Sequence, residues 1–414
     1  MDPVGAEKRQ GRRSDLMSVL FTGKTVGNLE IKNRFVHSGT YECMATEEGE
    51  VTDALIQRYR NLARGDVGLI VTGYMSVHQS GRAAKHQTGI HSDSFLPGLS
   101  RLADTVHQEG GKIFFQLVHA GRQTIPAYIG RKPMGPSSVH VDPTYLVRPR
   151  EMTGNDIQET IGWYAAAAAR AVTAGADGIN ISAAGGYLPN QFLSPYHNHR
   201  QDEWGGSDRN RFRFLQEVVV AVKNTLPEGM PLVVKISTDD KTPGPGVTLK
   251  TAEKYAAWLA ELGVDGLEIA SGNLLYSHMT MWHGDVPVKE LLQSLPWWKR
   301  PVAWIIMKKM EGRFRLEGPW NLAAARAIRK VTGSLPLFLV GGIRDVRTMT
   351  ELVKNNDTDF IQMCRPFVRQ PNLVKQIRKG KLDQVSCKNC NRCLGAIANH
   401  IPIACYYNGL PAPN

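Results

Sequence analysis

The chain predicts a (β/α)8 barrel. Short apolar runs of strand length recur eight times, nearly every one is followed by a helical pattern, and the alternation persists across the sequence. An open, doubly wound parallel sheet is the other arrangement this alternation allows. It expects a Gly-x-Gly-x-x-Gly turn after its first strand, and the sequence has none there.

The first strand is read over 34–39 (RFVHSG) and the second over 67–73 (VGLIVTG), each ending at a glycine that reads as a break. The third covers 112–118 (KIFFQLV) and the fourth 177–182 (DGINIS). Between these two lies a helix over 154–174, whose run of alanines at 165–169 favours that conformation most strongly. A second long helix, 209–224, leads to the fifth strand at 232–237 (LVVKIS). The sixth, seventh and eighth strands follow at 265–270, 337–341 and 359–364.

Two stretches fall outside the repeating unit. The connection over 272–319 is far longer than the usual two to six residues and contains SLPWWKRPVAWIIMKKM. On the strand-end face such a loop reads as a substrate lid. Its aromatic and basic mixture also suits a membrane surface, but a packed lid needs the same apolar residues, so membrane contact is not the favoured reading. From Lys381 onward the chain carries four closely spaced cysteines beyond the last helix. The expected organisation is a flexible tail over 1–20, a barrel over 21–380 with the 272–319 lid, and a cysteine-rich extension over 381–414.

The 414 residues are 42% hydrophobic and 21% charged, which excludes disordered, collagenous and coiled-coil classes. No run of 18 apolar residues occurs, and the first 20 residues lack a signal-peptide core, so a soluble cytoplasmic protein is expected. More than half of the net charge of +12 falls between Arg365 and Arg392, where eight basic residues face one acid, Asp383. Aromatic residues are not interleaved there as base-stacking platforms would be, which argues against nucleic acid. An acidic electron-carrier protein suits such a surface better.

In a barrel of this kind the reacting groups stand at the C-terminal strand ends. Gly341 and Gly342 at the seventh strand, with Cys364 and Arg365 at the eighth, occupy the usual place of a phosphate. Gln116 can donate and accept, and Lys235 adds a fixed cation, a pair suited to a polar heteroaromatic ring. The same two residues could instead plug the barrel interior as a polar network. The spacing Cys387-x2-Cys390-x2-Cys393-x11-Cys405 resembles ferredoxin ligation, fits tetrahedral zinc, and is also compatible with a motif that holds nothing. Cys43 and Cys364 look unpaired.

The runs KNRFVHSG, FFQLVHAGRQ, REMTGNDI, GYLPNQFLSPYHNHRQDEWGGSDRNRFRF and VGGI resemble the old yellow enzyme family of FMN-dependent oxidoreductases, over roughly residues 20–380. The resemblance implies FMN at the strand ends, lined by Gly39, Thr40, Gly73 and Gln116, with its phosphate near Gly341, Gly342 and Arg365. Lys235 stands where the family usually has an arginine; it keeps the charge but not the planar fork. The family's paired histidines after the fourth strand are missing, replaced by Ser182-Ala183-Ala184-Gly185-Gly186. A branch that includes 2,4-dienoyl-CoA reductase and trimethylamine dehydrogenase also departs here. The dienoyl-CoA reductase group uses a tyrosine where this chain has Tyr187, together with a histidine from the loop after strand six. Tyr276, His278 and His283 are the candidates in that loop. The branch also carries a four-iron cluster at the cysteine motif, fed from an FAD domain, and the spacing here differs from it by about one residue.

Tyr187 is thus the first candidate proton donor, with a capping role for its hydroxyl as the structural alternative. Tyr41 replaces a small residue beside the flavin, and His119 and His197 read as packing residues. The favoured function is hydride transfer from NADH or NADPH, through FMN, to an activated carbon–carbon double bond of a small molecule. A cluster-fed reductase and a redox-neutral isomerase or cyclase are the alternatives, with a non-catalytic flavin-binding protein behind them.

Overall fold

In the computed structural model, which describes residues 18–142 and 146–411, eight parallel strands close into a barrel. They are β1 (Phe35–His37), β2 (Leu69–Ser76), β3 (Ile113–Val118), β4 (Gly178–Ala183), β5 (Leu232–Ser237), β6 (Gly266–Ala270), β7 (Leu337–Val340) and β8 (Phe360–Met363). Each pairs with the next in sequence, and β8 returns to β1 through Ile361, Gln362 and Met363 opposite Phe35, Val36 and His37. The predicted barrel is the one found, and the open sheet is excluded by this closure.

Side chains alternate across each strand, which gives the barrel two different surfaces. Outward residues such as Phe115, Ile179, Val234 and Leu339 pack on the surrounding helices. Those helices include α1 (Asp53–Arg64), α2 (Leu96–Gln108), α3 (Gly154–Thr173), α4 (Asp208–Lys223), α5 (Leu249–Glu261), α6 (Leu322–Thr332) and α7 (Val346–Lys354). Local signals start them where they start. Thr153 caps α3 in a reciprocal box with Asp156, while Ser207 and Asp345 accept from backbone N–H groups at the starts of α4 and α7.

Inward residues form stacked layers. The lower layer is apolar, with Val36, Val71, Phe114, Val233, Phe338 and Phe360 in one cluster. An antiparallel hairpin, Lys24–Val26 with Leu29–Ile31, closes the floor by adding Val26 and Ile31 to that cluster. Two residues further along the strands the inward positions turn polar: Ser38, Gln116, Asn180, Lys235, Glu268 and Gln362. The barrel is therefore sealed below and hydrophilic above, which places ligand chemistry at the strand ends.

Residues 1–17 of the expected tail lie outside the described residues; Ser18–Phe21 forms a helical turn with Leu20 fully buried. The 271–319 connection carries short helices at His278–Met281 and Val288–Gln293 and a longer one at Arg300–Met310. The cysteine-rich extension packs on barrel and lid. Val385 N–H donates to Arg344 O at 2.8 Å and Ile403 N–H to Glu42 O at 2.8 Å, while Asn399 Nδ2 donates to Glu290 O at 2.7 Å. Among the described residues no helix is long and apolar enough to cross a membrane.

Candidate active site at the strand ends

Five inward side chains join into one network. Gln116 Nε2 donates to Asn180 Oδ1 at 2.9 Å, and Asn180 Nδ2 donates to Glu268 Oε2 at 3.2 Å. Glu268 is fully buried; its Oε1 accepts from Ser38 Oγ at 3.2 Å and pairs with Lys235 Nζ at 2.6 Å. Gln116 and Lys235 are thus connected through Asn180 and Glu268, two residues the sequence reading did not single out. Gly39 leaves the space that Gln116 fills: a Cβ there would lie 2.6 Å from Gln116 Oε1. Beside this network both amide atoms of Gln362 are buried without a hydrogen-bond partner among the described residues. An unmet buried amide costs about 1–3 kcal/mol, so a polar group that is not part of the chain fits here.

Gly73 does not end its strand, contrary to the sequence reading. The strand runs on to Ser76, and its register against β3 shifts between Val71 and Tyr74. This bulge diverts two ladder bonds. The Gln116 N–H donates to Thr72 Oγ1 at 3.0 Å, and the Gly73 N–H donates to Glu42 Oε1 at 3.0 Å and Tyr59 Oη at 2.8 Å. Tyr59 also donates to Glu42, whose carboxyl lies so close to Gly73 that a Cβ there would overlap it. Burial raises the Glu42 pKa. The displaced Tyr74 stacks on Tyr41, with centroids 5.7 Å apart, and lies 5.2 Å from Tyr187. A row of three tyrosines therefore borders the polar layer. Tyr187 is buried at the start of the Leu188–Leu193 helix.

Tyr276 sits apart from that row, with its ring 5.2 Å from Tyr196 and 5.8 Å from His197, and burial raises its pKa to about 12. His278 begins a short helix, and its side chain lies outside the described residues. His283 stacks on Trp320 at 4.3 Å, and its Nδ1 lies 3.1 Å from Arg315 O.

At the seventh strand end Gly341 and Gly342 have φ of 119° and 78°. The segment from Gly318 to Trp320 lies directly over them, so a Cβ on Gly342 would overlap the Gly318 carbonyl oxygen. Two guanidinium groups converge nearby. Arg344 Nη2 donates to Asn389 Oδ1 at 2.7 Å, and Arg365 Nη1 donates to His283 O at 2.9 Å and to Asn391. Burial, then the charge of Arg365, lowers the Arg344 pKa to about 10. Among the described residues neither arginine has a carboxylate in ion-pair range. With Arg365 buried and Arg344 half-buried, two like charges side by side favour an anion between them. Thr40 Oγ1 donates to Ser38 O at 2.9 Å and lies 2.8 Å from Cys364 Sγ, linking β8 to the β1 loop.

Cys387, Cys390, Cys393 and Cys405 line one narrow pocket together with Arg365, Arg369, Asn389 and Asn391. Asn389 and Asn391 take left-handed backbone angles, φ 54° and 56°, which asparagine tolerates better than most residues. Burial raises the Cys393 pKa to about 12. Among the described residues no three potential ligands stand at metal-binding separation. The donor set fits a thiolate-ligated centre in kind.

Several histidines serve the fold. Burial holds the pKa of His37 and His119 at about 3 and that of His78 at about 4, against an ordinary 6.5; Arg58 adds to the effect at His37. These rings stay neutral in the fold, whereas the unfolded chain takes up their protons near pH 6.5. Stability from them is complete above pH 6.5 and is lost as pH falls, down to about 4 for His78 and about 3 for His37 and His119. Denaturant titrations between pH 7 and 4 should show that decline, and His119→Gln should make it shallower.

Residues 19–302 match the model of the NADH:flavin oxidoreductase / NADH oxidase family. The NADH oxidase of Thermoanaerobacter brockii is 32% identical over 395 residues, covering 94% of this chain and 56% of that protein. The NADPH dehydrogenase of Bacillus subtilis strain 168 is 38% identical over 363 residues, 87% of this chain and 94% of that one. Among solved structures, a 2-naphthoyl-CoA reductase in complex with 2-naphthoyl-CoA superposes with a TM-score of 0.82 at 25% identity, covering 94% of this chain and 57% of that one. The chain therefore spans about half the length of the first of these relatives and nearly all of the second.

Proposed function

Because the chain belongs to the NADH:flavin oxidoreductase / NADH oxidase family, we propose that it is an FMN-dependent oxidoreductase that takes hydride from NADH or NADPH and delivers it to an activated carbon–carbon double bond. The observation that carries this reading is the inward polar layer with the unmet amide of Gln362 above a sealed apolar floor. Bound FMN would supply the two-electron chemistry that links nicotinamide and substrate.

The chain's own residues do the rest. Gln116, Gln362 and Lys235 hold the polar edge of the ring, and the Lys235 cation favours negative charge there. Gly39, Thr40 and Gly73 shape the adjoining wall, while Gly341, Gly342, Arg344, Arg365 and the neighbouring Cys364 form the phosphate end. Tyr187 gives its hydroxyl proton to the carbon beside the one that receives hydride, and Tyr276 and His278 are the catalytic candidates of the lid. Cys387, Cys390, Cys393 and Cys405 are assigned to a four-iron cluster, with zinc as the competing metal, and an acidic carrier protein would feed it across the 365–392 surface.

Absorption spectra of anaerobically purified protein, with iron, zinc and sulfide analysis and NADPH titration, test the reading. Flavin bands bleached by NADPH are expected. In Tyr187→Phe the bleaching should persist while turnover of an unsaturated acceptor falls about 10²–10⁴-fold at little changed KM. A colourless protein that takes up no FMN would overturn the proposal.

A further inference from the structure

The helix at Arg300–Met310 buries none of its residues. Together with the turn before it, this helix exposes Trp297 (77%), Trp298 (58%), Val302 (63%), Trp304, Ile305 and Ile306. Six of the eleven large hydrophobic side chains exposed among the described residues thus fall within ten consecutive positions. Isolated exposed apolar residues need no explanation, whereas a contiguous set marks a docking surface.

The charges within the patch are all basic, and the acid that borders it, Glu311, pairs with Lys308 Nζ at 3.0 Å. Lys299, Arg300, Lys308 and Lys309 flank the apolar residues, and no acid occurs from Trp297 to Met310. Lys299 Nζ lies 5.0 Å from the Trp298 ring, so the first basic group sits at the level of the tryptophans. Exposed Trp, Val and Ile interspersed with Lys and Arg form a composition that partitions into the headgroup region of an anionic bilayer. Eleven residues are too few to cross a bilayer, which needs about 20. A second copy of the chain on the same patch would bring the two basic rims together.

We propose that the 297–310 segment docks this protein on an anionic lipid surface. The lid joins that surface to the strand ends, because Arg365 donates to the His283 carbonyl and Gly318 covers Gly342. The proposal does not depend on the flavin reading, and its test needs no turnover.

The test is flotation of the full chain with phosphatidylcholine vesicles, with and without phosphatidylglycerol, at low and high salt. Binding to the phosphatidylglycerol vesicles should be about a hundredfold tighter than to phosphatidylcholine alone and should weaken with salt. Ile305→Glu/Ile306→Glu and Lys308→Glu/Lys309→Glu should each abolish it with unchanged melting temperature, since the substituted side chains are exposed. Absence of vesicle binding would overturn the proposal. So would binding that survives both variants, which would place the contact on the 365–392 surface. Light scattering that shows a dimer dispersed by Ile305→Glu/Ile306→Glu, without lipid binding, would assign the patch to self-association instead.

Discussion

Lys235→Met should cost about 3 kcal/mol of folding stability and leave the protein unable to retain flavin. Glu268 is fully buried, and the substitution leaves its carboxylate with only Ser38 and Asn180 as partners. Removing one member of a buried ion pair is far more damaging than removing both. Lys235→Met/Glu268→Leu should therefore recover most of the stability in denaturant unfolding while still failing to hold FMN. That separation of effects distinguishes a cation used by the ligand from one used only by the fold. If the double variant binds FMN as tightly as the parent, Lys235 has no part in the site.

Gly342→Ala should be comparably severe for a different reason. The residue has φ 78°, a region that costs an alanine about 1–3 kcal/mol. The new methyl would also overlap the Gly318 carbonyl oxygen, a backbone atom that cannot rotate away. Together strain and displacement should cost about 2–5 kcal/mol. Limited proteolysis should then cut more readily across the exposed 300–315 stretch, and FMN affinity should fall in the same preparation. Unchanged proteolysis would mean that the 318–320 segment is held by contacts other than those at Gly342.

The barrel was legible because strand-length apolar runs are a strong signal, and all eight were placed with ends that differ from the observed ones by three residues or fewer. The largest difference lies at Gly73. A glycine after VGLIVT reads as a terminator, but the strand uses it as a bulge, and the compensating partners Glu42 and Tyr59 are distant in sequence. Asn180, Glu268 and Gln362 could have been found, since strand alternation puts them on the same surface as Gln116 and Lys235. Attention to strand termini alone passed over them. Arg344 carried no signal of its own, because its partner Asn389 is 45 positions away in a loop. A place at the end of the eighth strand marked Arg365 for a phosphate, and no spacing could show that it also clasps the lid through His283 and Asn391.

The seam of the barrel joins residues at opposite ends of the chain: His37 lies opposite Met363, and Lys24 reaches Asp359 at 3.0 Å. During synthesis from the N-terminus the first strand therefore waits, unpaired along one side, until the ribosome has released nearly the whole barrel. Contacts so far apart in sequence form slowly, and an open strand edge invites pairing with other chains. Lower growth temperatures should therefore raise its soluble yield more than they would for a protein whose strands pair only with close neighbours.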